Sequence, residues 1–522
     1  MSEEKHTKYK SPLRKLVTFF EQSRNQWKEK YLNQKLNIKR LKNRVKYLEK
    51  SKTDWKQKAV VLKQKVKELE IKHKQLEKKV KSNQIQKNAV KKNIFDHCHK
   101  DFEIIPYNHK YPIGIVMLSL SLILKAASSL RGSSRTLDVV INFSQLSLPI
   151  PSWHSVRLWL LRLGYYKLHS EKELANDWIW IVDHSIQLGT EKVFVILGIR
   201  MSNMPPAGKS LKHKDVSAIT LSPVTKSNGQ IVYEQLEDSI KKTGVPRAIV
   251  GDYGSDLKAG INMFCKVHTY TDHIHDIKHK TALVLKEELQ SNEAWNQFKS
   301  QATQVKQQLQ QTSLAPYCPP NQRSKARYMN VEPLIKWGSF ILKMLEKPDK
   351  HPELFLEKFA WLNDYRESLH QWNEMIEVIT TVEIFVKKQG ITSNSHYQLK
   401  KHLKQTLTHR NYQRTEIIMN KLLNFINEMA EKCQAGERLL ASSEVIESVF
   451  GKQKRLEQEQ ASSGFTGLIL SIAAMVSTTT SEVVMKALET VSTRRVLTWC
   501  KQNLGPSIQA KRITLFSMHK TE

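Results

Sequence analysis

The sequence predicts an α/β fold: a mixed five-stranded sheet carrying a large α-helical insertion, preceded by a coiled coil and a small helix-turn-helix-like helical domain. Three observations carry the prediction. An apolar stripe repeats every seven residues from position 27 to 80. Segments of β and helical character follow one another in the order β-β-β-α-β-α-β-α from residue 177 onward. From residue 283 to about 435 only helical periodicity is found.

The 522 residues include 83 Lys+Arg against 50 Asp+Glu, a net charge of +33, which points to a polyanionic partner, double-stranded DNA foremost. The five cysteines (Cys98, Cys265, Cys318, Cys433, Cys500) are scattered and never spaced as CxxC, so neither a disulfide framework nor a zinc ribbon is expected. No signal-peptide core begins the chain, and no segment holds the ~18 to 20 apolar residues that span a bilayer. The expectation is a cytoplasmic protein with no membrane contact, nucleoid-associated if bacterial.

Residues 1–93 form the predicted coiled coil. The stripe runs through Trp27, Tyr31, Gln34, Ile38, Leu41, Val45 and Leu48, then Lys52, Trp55, Ala59, Leu62, Val66, Leu69, His73, Leu76 and Val80. Neither Gly nor Pro interrupts residues 14–90, as a continuous helix requires. A 3.5-residue repeat over this length implies self-association, with Gln34, Lys52 and His73 as polar breaks that would fix register or oligomer state. Outer lysines such as Lys56, Lys63 and Lys72 suit phosphate.

Residues 94–175 read as a helical domain. His97, Cys98, His99 and His109 crowd its entrance, but their spacing matches no common metal set, and they read as loop histidines. Helices are expected over 113–127 and from Ser152, a good N-cap, to Gly164. Three short helices with a turn at Pro149 and Pro151 outline a helix-turn-helix. Its recognition helix would present Trp153, His154, Ser155 and Arg157 to a major groove.

Residues 176–282 open with three strand-like runs, 177–189, 191–202 and 216–225, joined by short connectors as in an antiparallel meander. A helix over 232–243, a buried fourth strand over 247–252, a helix over 254–267, a short fifth strand over 268–271 and a helix from about Lys280 follow. Asp183 falls inside the first strand in VDHS, and Asp252 ends the fourth in VGDYGSD. Adjacent strands lie about 4.8 Å apart, so two such aspartates can share a metal.

The strand order and these two motifs resemble the RNase H-like DDE transposases of bacterial insertion sequences. In that family an Asp-x-x-His pair often stands between the second and third acids. Asp276 and His279 match it, and Asp272 and His275 fit the same spacing. The third acid follows the helical insertion, 283–435. In the second part of the core, 436–522, Glu447 and Lys454 lie seven residues apart, two turns along one helical face, the family's Glu-x6-Lys/Arg spacing. Glu444 lies one turn earlier and is the competing choice. A large insertion between the second and third acids is also seen in cut-and-paste families such as hAT. The chain departs from the family in lacking a Tyr-x2-Arg-x3-Glu pattern before Glu447.

The resemblance implies a DNA transposase in which Asp183, Asp252 and Glu447 hold two Mg²⁺, Mn²⁺ being able to substitute, while His279, Lys280 and Lys454 meet the scissile phosphate region. The chain would act as a homo-oligomer on double-stranded element ends and target DNA. The insertion tryptophans Trp295, Trp337, Trp361 and Trp372 sit at core spacing, with base stacking as their functional alternative. Two other readings stay open: a catalytically inactive, domesticated-transposase-like regulator, and a structural coiled-coil protein that binds nucleic acid. The second leaves the β-rich region unexplained.

Overall fold

The computed structural model describes residues 15, 17–28, 30–32, 34, 35, 38, 41, 42, 44, 45, 100–188, 191–321, 328, 331–407, 412–459, 466–504, 512–514, 516 and 517. It comprises two compact units, Met1–Cys98 and His99–Glu522. In the first, every described residue is helical. Trp27, Tyr31, Ile38, Leu41 and Val45 of the seven-residue stripe stand exposed on it, Trp27 at 69 %. Stripe positions 48–80 and His97, Cys98 and His99 lie outside the described residues.

The second unit begins with α1 (Ile113–Leu124), α2 (Leu130–Phe143) and α3 (Trp153–His169). Serines start the last two: Ser129 Oγ accepts the Gly132 N–H at 2.8 Å, and Ser152 Oγ accepts that of Ser155 at 3.2 Å. The end of α3 differs from expectation. Gly164 lies within the helix, because it lets the Leu470 backbone approach: a Cβ there would sit 2.0 Å from the Leu470 carbonyl oxygen. Beyond its first turn α3 is buried along most of its length. The Lys167 ammonium, also buried, donates to the Val476 carbonyl and the Thr479 hydroxyl, both at 2.7 Å, closing the C-terminal end of the helix Ser471–Met475. The three helices lie in the same compact unit as the sheet.

The strands are β1 (Trp178–Leu188), β2 (Glu191–Arg200), β3 (Ser217–Val224), β4 (Ala248–Gly251) and β5 (Asp272–His275), ordered β3-β2-β1-β4-β5. The first three pair antiparallel, and β4 and β5 join them parallel. Between β3 and β4 runs α4 (Gly229–Thr243), and between β4 and β5 runs α5 (Ser255–Val267). The fifth strand lies four residues later than expected. Residues 268–271 form a turn instead, closed by the Thr271 N–H on the His268 carbonyl.

Alternation along β1 assigns its two faces. Trp178, Trp180 and Val182 pack with Phe194 and Ile196 under α4 and α5, through Val232, Leu236, Leu257, Ile261 and Phe264. Ile179 and Ile181 point the other way, into the core shared with α3. Asp183 continues that second row.

After β5 come α6 (Ile277–Gln290), α7 (Glu293–Leu309), α8 (Glu332–Leu345), α9 (Glu353–Phe359), α10 (Arg366–Gln389), α11 (Ser395–Thr406) and α12 (Gln413–Ala430). Among the described residues, β structure in this stretch is limited to a bridge between Ile391 and Leu439. Trp295 and Trp372 are buried and meet edge to face at 5.0 Å, so both serve this insertion's core. Arg247, buried at the start of β4, donates to Glu437 through Nε and Nη2, each at 2.8 Å, and to Asp272 at 2.7 Å. It thereby ties the end of the insertion back to the sheet. The chain then forms α13 (Glu444–Gln458), α14 (Ser471–Met475), α15 (Ser481–Thr490) and α16 (Thr493–Leu504). Among the described residues no helix is long and apolar enough to cross a membrane.

Candidate active site

The register between β1 and β4 sets Ile181 opposite Val250, so Asp183 and Asp252 are level, two residues further along parallel neighbours. Asp252 stands one residue past the end of β4, and its Oδ1 accepts the Gly254 N–H at 2.8 Å. Glycine at 254 permits that turn, since a Cβ there would meet Asp252 Oδ1 at 2.9 Å. Asp183 accepts the His184 N–H at 2.6 Å. Burial, and then the Asp252 carboxylate, push the Asp183 carboxyl up to about 7; Glu447 adds to the effect, while the His184 N–H and the His279 ring oppose it.

Glu447 reaches this group from α13. Lys278 Nζ lies 3.2 Å from its Oε2, and His279 Nε2 lies 3.7 Å from its Oε1. Of the two, Lys278 is the hydrogen-bonded partner and His279 the longer ion-pair neighbour. Contact with His279 and the Lys278 charge hold Glu447 below its ordinary value despite burial. Burial works to lower the His279 pKa, but Glu447, Asp276 and Asp252 raise it above the usual imidazole value.

Asp276 serves as the bracket of the site. It caps α6 by accepting the His279 N–H at 2.9 Å, and its other oxygen accepts the buried Ser443 N–H, which precedes α13. One carboxylate thereby fixes the helix carrying Lys278 and His279 against the helix carrying Glu447. The N-cap reading of the Asp276–His279 pair holds for the aspartate, and the His279 ring lies beside Glu447. The overlapping pair Asp272 and His275 lies on β5. There Asp272 binds Arg247 and His275 stacks on Tyr253 at 4.3 Å.

The remaining expected residues fall in different surroundings. Glu444 turns away to pair with Lys387 of α10. Lys280 sits between the rings of Tyr253, at 5.9 Å, and Phe425, at 5.3 Å. Lys454 is exposed on α13. On α3, Trp153 is 42 % exposed, with the Arg131 guanidinium over its ring, and His154 is exposed. Ser155 gives its N–H to the helix cap. Arg157 is half-buried and lies in the electrostatic neighbourhood of Glu457, whose carboxyl burial pushes up to about 7. Lys278 is the residue that sequence reasoning passes over. Its only signal is its place beside His279 behind a helix-capping aspartate.

A cavity of about 440 Å³ opens one turn along α13 from Glu447, bordered by Glu444, Ser448, Lys387 and the connector residues Lys212, His213 and Lys214. His213 Nε2 lies 3.0 Å from Ser448 Oγ, tying that basic connector to α13.

The donor set suits a hard divalent cation: two level aspartates and a glutamate, with the Asp183 carboxyl pushed up to about 7 by burial and by Asp252. Among the described residues, however, no three His, Cys, Asp or Glu side chains converge closely enough to hold an ion as they stand. Glu447 is the member engaged elsewhere, by Lys278 and His279.

No known family profile matches the chain, and no curated protein matches it. Among solved structures it is similar to the Drosophila P element transposase in its strand transfer complex, over 72 % of this chain and 92 % of that one, at 11 % identity and a TM-score of 0.34.

Proposed function

We propose that this chain is a DDE-type DNA transposase with an RNase H-like core split by the helical insertion, acting on double-stranded DNA at element ends. The observation that carries the reading is geometric. Asp183 and Asp252 stand level on neighbouring parallel strands, and Glu447, from a helix 195 residues beyond Asp252, comes near enough to act on the Asp183 carboxyl, which burial first and Asp252 next push up to about 7. Structural carboxylates are paired with cations; a knot of acids with one left uncompensated is the arrangement that metal-dependent phosphodiester chemistry uses.

Asp183, Asp252 and Glu447 would hold two Mg²⁺, or Mn²⁺ in its place. When bound, the ions supply activation of a water or 3′-hydroxyl and neutralise the phosphorane-like transition state. The chain's own residues do the rest. The His279 ring, whose pKa Glu447, Asp276 and Asp252 raise, and, until an ion is bound, the Lys278 ammonium lie at the rim of the acids, where they can draw in a phosphate that the carboxylates alone would repel. Lys212 and Lys214, which line the cavity beside Glu444 and Ser448, and Lys280 and Lys454 would serve as further phosphate contacts. Trp153, His154 and Arg157 stand as DNA contacts of the element-end domain, and the N-terminal helix as the oligomerising segment.

The test uses DNA carrying the genomic sequence that flanks the gene. With Mg²⁺ or Mn²⁺ the chain should nick or cut it. Asp183→Asn, Asp252→Asn and Glu447→Gln should each abolish cleavage while leaving DNA binding intact, and Glu444→Gln should keep cleavage within about tenfold, since its charge serves Lys387 and the helix dipole. If all four variants cut like the parent, the transposase reading is wrong.

A further inference from the structure

We propose that Lys278 is a two-position cation that holds Glu447 off the aspartates until a divalent ion is bound, and then withdraws to Glu383 of the helical insertion. The inference rests on the reading that Asp183, Asp252 and Glu447 are metal ligands.

The first position is the one Lys278 occupies in the structure: its Nζ is 3.2 Å from Glu447 Oε2, with His279 on the other oxygen. Glu447 Oε2 has the Lys278 ammonium as its hydrogen-bonded neighbour, and the His279 ring stands beside Oε1. Lys278 therefore competes for the same carboxylate that a metal would need. An ammonium left beside an arriving divalent ion would be repelled, and it requires another partner.

The second position is a cavity of about 50 Å³, room for a water-sized group, lined by both Lys278 and Glu383. Thr281 lies one turn beyond Lys278 on the same face of α6, and its hydroxyl already donates to Glu383. Glu383, on α10, is partly buried, and burial raises its carboxyl above the ordinary value while Thr281 and Lys278 act in the opposite direction. A carboxylate so placed is short of positive charge, and the four-carbon lysine stem can turn about its own bonds to supply it. Glu444, the other acid near Lys278, is already paired with Lys387. The swing would make the insertion sense whether the acids are loaded, through α10.

The experiment is Mn²⁺ binding by isothermal titration calorimetry on the full chain without DNA, each variant first checked for a parental melting temperature. Lys278→Met should bind Mn²⁺ about two- to fivefold tighter, the scale of a partly exposed ion pair released from competition. Glu383→Gln should bind it weaker by a similar factor, and the double variant should match Lys278→Met, because Glu383 acts only through the lysine. Lys278→Gln, made in parallel, gives the same comparison if Lys278→Met does not fold. Asp183→Asn separates the two levels. If it loses Mn²⁺ binding while the Lys278 and Glu383 variants leave affinity unchanged, the switch is overturned and the metal site stands. If Asp183→Asn binds Mn²⁺ like the parent, the metal site itself falls, and the switch with it.

Discussion

Burial and the Asp252 carboxylate push the Asp183 carboxyl up to about 7, and that makes Asp183 a reporter on its own surroundings. Its folded value lies above the unfolded one near 3.8. Between pH ~4 and 7 the folded chain holds a proton that the unfolded chain has released, so stability falls as pH rises through that window and the full cost is present above it. Asp183→Asn has nothing to ionise. In metal-free buffer it should therefore be more stable than the parent at pH 8, by on the order of 1 to 3 kcal/mol, and equal to it near pH 4. A gain of the same size at both pH values would mean that Asp183 is not strained by charge. The same residue shows what a sequence can reveal. An aspartate flanked by Ile181 and Val182 in a buried strand is costly, and a costly residue asks for a reason. Lys278 asks for none, because a lysine in the first turn of a helix is ordinary until Glu447 arrives from a segment 169 residues away.

Periodicity locates most elements, and the misplaced ones are those governed by distant contacts. The stretch 268–275 holds no residue that chooses between strand and turn. The strand forms where Arg247, at the start of β4, takes Asp272 as a partner and 272–275 pair with β4. Gly164 is legible as a helix stop by local rules, and it is a point of close approach instead, because the Leu470 carbonyl needs the space. That gives a sharp comparison between two helical glycines. Gly164→Ala places a methyl 2.0 Å from backbone oxygen and should cost at least about 3 kcal/mol, more than ordinary overpacking, since main chain has to move. A Cβ on Gly451 of α13 meets nothing within 4 Å, so Gly451→Ala should be neutral or stabilise by about 0.5 to 1 kcal/mol through helix propensity. Urea midpoints measure both, and similar midpoints for the two variants would refute the close approach of α3 to the Leu470 turn.

At the scale of the molecule the charge is divided unevenly. Residues 1–100 hold 30 Lys+Arg and 10 Asp+Glu, a net of +20, which leaves +13 for the other 422 residues, where the acids of the candidate site lie. Among its described residues the first unit also exposes Trp27, Tyr31, Ile38, Leu41 and Val45 of the apolar stripe, Trp27 at 69 % and Tyr31 at 64 %, surface that a lone helix in water gains nothing by showing. Stripe and charge lie on the same segment, and each predicts a different effect when it is removed. Deleting residues 1–90 takes away the seven-residue repeat and should lower the mass measured by light scattering to that of a single chain. It also removes most of the excess lysine, so fewer counterions are released on DNA binding, and the plot of log affinity against log salt should become shallower by about 0.9 for each phosphate no longer neutralised. The second unit, with its own core and the Arg247 and Lys167 ties across it, should keep its melting transition through the deletion. A truncated chain of unchanged mass would refute the coiled coil. A truncated chain of reduced mass with the parental salt slope would show that the helix associates but does not touch DNA.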